Sequence, residues 1–151
     1  MKVMKIRQAV GAIVAMGEEY ALVLKTKINT TEGKKEIAGE WDFIKGGVEK
    51  SDSSLQEAIL RELKEETGMD SYSVKREFEE KIRFDFPEEV AKRIGFHSQE
   101  TTMFLVEYKG TITDWKPLDD EVSDIGFFKK EEVLRKLSHE ETMQYFQKHC
   151  L

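Results

Sequence analysis

Three glutamates near the end of one predicted helix have the types and the spacing that could carry chemistry. Glu62, Glu65 and Glu66 stand at positions i, i+3 and i+4 of the segment LQEAILRELKEETGM at 55–69. At about 100° per residue, Glu62 and Glu66 fall inside the arc of roughly 140° that holds the apolar residues, and Glu65 lies at its edge. The apolar residues of this arc are Leu55, Ala58, Ile59 and Leu63. This pattern predicts three carboxylates at the border of a buried face.

Such a cluster is unfavourable unless a cation lies between the carboxylates. The helix macrodipole disfavours negative charge in the last turns by about a few tenths of a kcal/mol, and like charges at i and i+4 add a similar penalty. Oxygen-only ligands favour Mg²⁺ or Mn²⁺ over zinc. We therefore predict a Mg²⁺ or Mn²⁺ site, with a solvated face of a Lys/Glu-rich helix as the alternative.

A lysine and two glycines precede this helix by one loop. Glycines at Gly46 and Gly47 would let the backbone approach a ligand closely, and Lys45 and the helix N-terminus both favour phosphate oxygens. A simple turn is the alternative interpretation. Next to the carboxylates, the three residues predict anion-binding and cation-binding elements around one pocket.

The elements that must position these residues follow from caps and periodicity. Ser54 with Glu57 has capping-box spacing, and Gly68 is a C-cap for a helix that runs to about Glu66. Apolar runs predict strands at 8–16, 20–25, 103–108 and 125–128, helices are expected at 88–94, 129–137 and 138–148, and 28–40 is expected to be a loop. Ser138, with Glu141 in register, is expected to open the last helix. We predict a single domain over residues 1–151, in the α/β class.

The composition restricts the partners of this domain. The chain has 151 residues with 24 Lys+Arg against 30 Asp+Glu, and its net charge of -6 gives no bulk attraction to nucleic acid or anionic lipid. A polyanion must therefore be held by a few local cations or by metal. Cys150 is the only cysteine, so no intramolecular disulfide is possible, and the apolar run 9–16 is too short to cross a bilayer. A cytoplasmic location without membrane contact is expected.

The helix segment resembles a known family motif. The run 61–69, RELKEETGM, matches the second half of the Nudix box, Arg-Glu-U-x-Glu-Glu-x-Gly-U with U apolar, at every specified position. The first half, Gly-x5-Glu-x7-Arg, departs from the pattern because its glutamate is missing. Without a gap, Gly47 is the box glycine and Ser53 takes the place of the glutamate. With one inserted residue, Trp41 to Gly46 resembles the family's Trp-x-Phe-Pro-Lys-Gly entry and Asp52 takes that place, and we prefer this second frame.

The resemblance extends over nearly the whole chain. The segments RFDFP at 83–87 and SQETTMFL at 98–105 are similar to bacterial RNA 5′-pyrophosphohydrolases and plant-type dinucleoside tetraphosphate hydrolases. Glu121, which precedes Ile125 and Phe127, matches a late-loop glutamate of those enzymes. The resemblance thus implies that Glu121 is a further metal ligand or a base. An ordinary acid in a solvated loop is the alternative interpretation.

The resemblance implies both a fold and an activity. The fold is a Nudix α/β/α sandwich with a mixed β-sheet and a loop-helix-loop box. The activity is metal-dependent hydrolysis of a pyrophosphate linkage, with Glu65 and Glu66 as metal ligands, Glu62 as a ligand or general base, and Arg61 orienting these carboxylates. Lys45, with Gly46 and Gly47, would contact the phosphates.

The substrate remains open within this family. A small nucleotide is expected, foremost a dinucleoside polyphosphate such as diadenosine tetraphosphate. An RNA 5′ end, ADP-ribose and an oxidised nucleoside triphosphate are the alternatives. A non-catalytic Nudix-like binding domain is the competing interpretation, and it is suggested by the missing box glutamate. The sequence does not distinguish a monomer from a homodimer.

Overall fold

The computed structural model describes residues 5–30, 32–110 and 122–150. Its strands are β1 (Ile6–Met16), β2 (Glu19–Thr30), β3 (Gly33–Asp42), β4 (Ile44–Gly47), β5 (Tyr72–Asp85), β6 (Ser98–Tyr108) and β7 (Val122–Lys129). Its helices are α1 (Leu55–Thr67), α2 (Glu88–Ile94), α3 (Lys130–Lys136) and α4 (Glu140–Cys150). No helix in this part of the chain combines the length and the apolar composition that a membrane span needs.

The strands form one mixed sheet of seven strands. The order is β3-β2-β1-β6-β5, with β4 also paired to β1 and β7 also paired to β2. The neighbours β1 and β6 are parallel, and the other pairs are antiparallel. The predicted mixed sheet is thereby confirmed.

Each face of the sheet has its own hydrophobic core. On one face, α1 buries Ala58, Ile59 and Leu63 against residues of the sheet that include Val10 and Ile44. On the other face, α3 and α4 contribute the buried residues Val133, Tyr145 and Phe146. Successive side chains of a strand point to opposite faces, so each central strand supplies both cores. The result is the expected α/β/α sandwich.

Helix α1 begins and ends where its sequence predicts. The Ser54 hydroxyl accepts a hydrogen bond from the Glu57 backbone N–H, which satisfies one of the free donors at the helix start. Gly68 ends the helix with φ 75°, a left-handed conformation that favours glycine, and its N–H donates to the Lys64 carbonyl. The two caps determine where the helix begins and ends, and thus in which turns of the helix the three glutamates lie.

The prediction of a loop at 28–40 is wrong. The segment completes a long antiparallel hairpin, in which Lys25 lies opposite Glu40 and Lys27 lies opposite Glu36. Hydrogen bonds of the ladder and cross-strand pairs of opposite charge stabilise such a hairpin without an apolar face. The alternating hydrophobicity by which strands are recognised is therefore missing from its sequence.

Ser138 does not cap the last helix. Its hydroxyl accepts a hydrogen bond from the Trp41 backbone N–H at 3.0 Å, and its own N–H donates to the Trp41 carbonyl. Helix α4 begins two residues later, at Glu140. A contact across 97 residues of chain thus replaces the predicted local cap.

Candidate active site

The carboxylate of Glu62 rests directly on the backbone of Gly46. A Cβ atom at Gly46 would lie 2.0 Å from Glu62 Cδ and 2.3 Å from each carboxylate oxygen, so only glycine allows this contact. Gly46 belongs to β4, whose Ile44 packs in the core under α1. Gly46 therefore makes room for a carboxylate, a role that its sequence context did not predict.

Burial changes the pKa of the Glu62 carboxyl. Its side chain is 13% exposed, and this burial raises the pKa of the carboxyl above its ordinary value. The hydrogen bond and the charge of Arg61 oppose that rise in pKa, as does the charge of Lys25 on β2. Lys25 is a cation near the site that sequence reasoning missed, and the only signal for it was its position at the end of the apolar run 20–25.

Arg61 connects the carboxylates of the site. Its Nη1 donates to Glu62 Oε1 at 3.0 Å and to Glu65 Oε2 at 3.1 Å. Its Nη2 donates to the carbonyl of Gly47 at 2.9 Å, which ties the helix to the end of β4. Arg61 thus contacts two of the three carboxylates, and its orienting role stays a prediction.

The other half of the guanidinium holds Asp52 in a two-pronged ion pair. Nε lies 2.9 Å from Asp52 Oδ1, and Nη2 lies 2.9 Å from Oδ2. The hydrogen bonds from Arg61 and from the Glu49 backbone N–H lower the pKa of Asp52, and the paired acids raise the pKa of Arg61. Ser53 instead contacts Glu57 at the surface. This geometry supports the frame in which Asp52 takes the place of the box glutamate.

The two frames predict different effects of two alanine substitutions. Asp52→Ala removes the two hydrogen bonds that Arg61 donates to Asp52. It is expected to weaken metal binding or activity about tenfold, the usual cost of losing an outer partner of a ligand. Ser53→Ala is the matched control and should match the wild type. Metal titrations of hydrolysis, read as the half-saturating concentration, measure both effects. The reverse ranking would favour the frame with Gly47 as the box glycine.

The remaining box glutamates differ in exposure. Glu66 is 2% exposed, whereas the Glu65 side chain is 52% exposed and contacts Arg61 from outside. Within residues 5–30, 32–110 and 122–150, no three acidic, histidine or cysteine side chains form a ready set of metal ligands. Metal loading would therefore require some of these carboxylates to move closer together.

The donor set nevertheless fits a hard divalent cation. Two of the three glutamates, Glu62 and Glu65, already share one positively charged nitrogen of Arg61. The third, Glu66, is buried on the same helix. Carboxylate oxygens of this kind are the ligands that Mg²⁺ and Mn²⁺ take. These three residues would therefore hold a divalent cation.

The structure does not bring Lys45 to the carboxylates. Lys45 and Gly46 are neighbours in β4, so the Lys45 side chain points away from the face on which Gly46 contacts Glu62. The Lys45 ammonium donates to Thr142 on α4 at 3.0 Å and lies 3.2 Å from Asp42. The structure therefore places the Lys45 ammonium on the α4 side of the sheet, because side chains alternate along β4, and its phosphate contact stays a prediction.

Two further residues come from the segments that carry the family resemblance. Glu121 lies outside the described residues, so its role as a ligand or base stays a prediction. Gln99 is buried and accepts a hydrogen bond from Arg7 at 2.7 Å. Arg7 also approaches Gly47, where a Cβ would lie 2.8 Å from its Nη2. Sequence reasoning missed Arg7, since nothing local links β1 to the glycine pair.

Comparison with known proteins agrees with this geometry. The family model for the NUDIX domain matches residues 5–149. An RNA pyrophosphohydrolase from a Nitratiruptor species is 30% identical over 123 residues, which cover 76% of this chain and 79% of the relative. The match to the family model spans both faces of the sheet and the whole of α1.

Solved structures share the fold at low sequence identity. The E. coli dihydroneopterin triphosphate pyrophosphohydrolase aligns with a TM-score of 0.70 and 13% identity, covering 98% of this chain and 97% of that one. A C. elegans Ap4A hydrolase aligns with a TM-score of 0.68 and 14% identity, covering 94% and 93%. At these identities the likeness concerns the fold alone. The family model matches nearly the whole chain, and the fold and the carboxylates around Arg61 agree with that match. The chain therefore belongs to the Nudix family and is a Nudix pyrophosphohydrolase.

Proposed function

We propose that this chain hydrolyses the triphosphate at an RNA 5′ end, using Mg²⁺ or Mn²⁺ held by Glu62, Glu65 and Glu66. The observation that carries the proposal is the carboxylate set around Arg61, in a chain 30% identical to an RNA pyrophosphohydrolase. Glu121 is proposed as a further ligand or base. The intact glutamates favour an enzyme over a non-catalytic binding domain.

The residues of the chain have distinct tasks in this reaction. A bound divalent cation supplies charge neutralisation of the phosphates and lowers the pKa of an attacking water. Arg61 holds the Glu62 and Glu65 carboxylates next to each other, because its Nη1 donates a hydrogen bond to both. Glu62 is proposed as a metal ligand or as the general base that accepts a proton at a carboxylate oxygen, and its burial raises the pKa of that carboxyl. Hydrolysis adds one water across a phosphoric anhydride bond, so no other reactant is needed.

A dinucleoside polyphosphate is the second candidate substrate. The RFDFP segment and the Gln99 region resemble enzymes of both substrate classes, and Gln99 is buried near the start of β6 next to Arg7. A chain of several phosphates is common to RNA 5′ ends and to diadenosine tetraphosphate. The net charge of -6 gives no general attraction for a long RNA, so recognition would concentrate on the phosphates and the first nucleotides.

A substrate panel tests the proposal. A short 5′-triphosphorylated RNA should give the highest kcat/KM, diadenosine tetraphosphate should be cleaved asymmetrically with a lower kcat/KM, and ADP-ribose should be the poorest substrate. The gap to ADP-ribose should be about tenfold or more, because each added charge-assisted contact contributes roughly 1.5–3 kcal/mol. Product-resolved chromatography in Mg²⁺ and in Mn²⁺ measures all three reactions.

The same RNA with a 5′-monophosphate is the control and should stay intact. A higher kcat/KM for diadenosine tetraphosphate than for the triphosphorylated RNA would make the second candidate the substrate. ADP-ribose as the best substrate at equal metal concentration would contradict both candidates while leaving the family assignment in place.

A further inference from the structure

A buried ion pair lies on the sheet face opposite the carboxylates. The Lys45 ammonium lies 3.2 Å from Asp42 Oδ2 and donates to Thr142 Oγ1 at 3.0 Å. Lys45, Asp42 and Thr142 are 9%, 6% and 2% exposed, respectively. Burying a charge is costly unless the charge is paired and hydrogen-bonded, and Asp42 and Thr142 meet both conditions. The Lys45 side chain therefore ties strand β4 to helix α4 across 97 residues of sequence.

The neighbouring strand leaves room for this connection. Gly11 on β1 pairs with Lys45 in the antiparallel register. A Cβ at Gly11 would lie 3.0 Å from Lys45 Cγ and 2.6 Å from Met103 Sδ, so a larger residue would displace the lysine stem or the methionine. The absence of a side chain at Gly11 lets the stem pass to α4.

Strand β4 is held by few strand contacts. It has only four residues, and in the described part of the chain it pairs with β1 alone. Gly46, the residue after Lys45, faces the opposite side of the sheet and contacts the Glu62 carboxylate there. A small shift of β4 would therefore move the surface on which Glu62 rests.

We infer that Lys45 is a positioning residue: the Asp42–Lys45–Thr142 cluster holds β4 where Gly46 receives Glu62, so that α4 supports the metal ligands on the opposite face. This inference rests on the proposed metal site and assigns Lys45 a role other than phosphate binding. It also gives the C-terminal helix a part in the reaction, although α4 is separated from α1 by the sheet.

The substitution Thr142→Val tests this coupling most directly. Valine keeps the shape of the buried threonine and removes one hydrogen bond, while the Lys45–Asp42 pair remains. We expect the dissociation constant for Mn²⁺, measured by electron paramagnetic resonance without substrate, to rise about threefold to tenfold. At saturating Mn²⁺ the KM for triphosphorylated RNA should not change.

A second variant, Lys45→Met, keeps most of the stem and removes the ammonium. Its effect on Mn²⁺ affinity should have the same direction and be larger. The double variant Lys45→Met/Thr142→Val should lose no more affinity than Lys45→Met alone, since both substitutions break the same contact.

Tyr145→Phe is the matched control for a general loosening of α4. It removes the hydrogen bond from the Tyr145 hydroxyl to the Glu80 carbonyl, 2.7 Å, which joins the same helix to β5 and not to β4. Mn²⁺ affinity should stay at the wild-type value in this variant.

Three results would overturn the positioning role. They are an unchanged Mn²⁺ affinity in Thr142→Val, an equal loss of affinity in Tyr145→Phe, and a raised KM in Lys45→Met with Thr142→Val unaffected. The last of these would make Lys45 a phosphate contact. Failure of the wild-type chain to bind Mn²⁺ at all would instead contradict the metal site, and the positioning role with it.

Discussion

Replacing Glu66 or Glu65 with glutamine is expected to lower kcat/KM for the triphosphorylated RNA by about a hundredfold or more. Glutamine keeps the size of the side chain but removes one negative charge from the set that would hold the divalent cation. The charge stabilisation that such a cation gives the transition state amounts to several kcal/mol, and each 1.4 kcal/mol corresponds to a factor of about ten in rate. Steady-state rates over a Mg²⁺ titration measure the loss.

The folded state should tolerate both substitutions. Without metal, the thermal midpoint of each variant should stay level or rise, because like charges at the end of α1 repel each other. Glu57→Gln is the matched control: the residue lies on the same helix, is exposed and contacts Ser53 instead of the cluster. Full activity of the wild type in a chelator, or of either variant at normal metal concentration, would contradict the assignment of these glutamates.

Gly46→Ala is expected to reduce kcat/KM for the triphosphorylated RNA by about a hundredfold, as much as the two glutamine substitutions do. The new Cβ would lie 2.0 Å from Glu62 Cδ, well inside van der Waals contact, so the carboxylate must leave its place. Glu62 cannot move freely, because its side chain is largely buried and Arg61 holds it at 3.0 Å. The variant should therefore show weaker Mn²⁺ binding as well as slower hydrolysis.

A shorter carboxylate offers a check on this steric explanation. The double variant Gly46→Ala/Glu62→Asp should lose less activity than the product of the two single losses, since aspartate withdraws from the added methyl group. Gly39→Ala is the control in β3, where the three atoms nearest to the added Cβ all belong to the Leu24 side chain, the closest a methyl group at 3.0 Å. Wild-type activity in Gly46→Ala with the fold intact by circular dichroism would show that the Glu62 position is not needed.

Helix α1 and its glutamates could be predicted from the sequence because their geometry is local. A helix places residues three and four positions apart on one face, and the caps at Ser54 and Gly68 act within a few residues of chain. The spacing of Glu62 and Glu66 therefore determined their common face before any packing was known. The family motif over the same nine residues adds the chemistry of a metal-dependent hydrolase to that geometry.

The partners of the site residues were decided by the tertiary structure. Arg61 pairs with Asp52 and not with Ser53, because a loop of irregular backbone determines which of two neighbouring side chains turns inward. The hairpin at 28–40 formed without an alternating pattern, since pairing with a neighbouring strand stabilised it.

Lys45 is the clearest example of a residue whose partners could not be predicted from the sequence. A lysine beside two glycines has the local chemistry of a phosphate contact, and its identity was plain from the sequence. Its direction depended on which face of β4 it occupies and on a threonine 97 residues away. Residue type and local spacing determined what each side chain could do, whereas strand pairing and the packing of α4 determined where each could do it. Those contacts join segments that the chain itself keeps far apart, and no local periodicity encodes them.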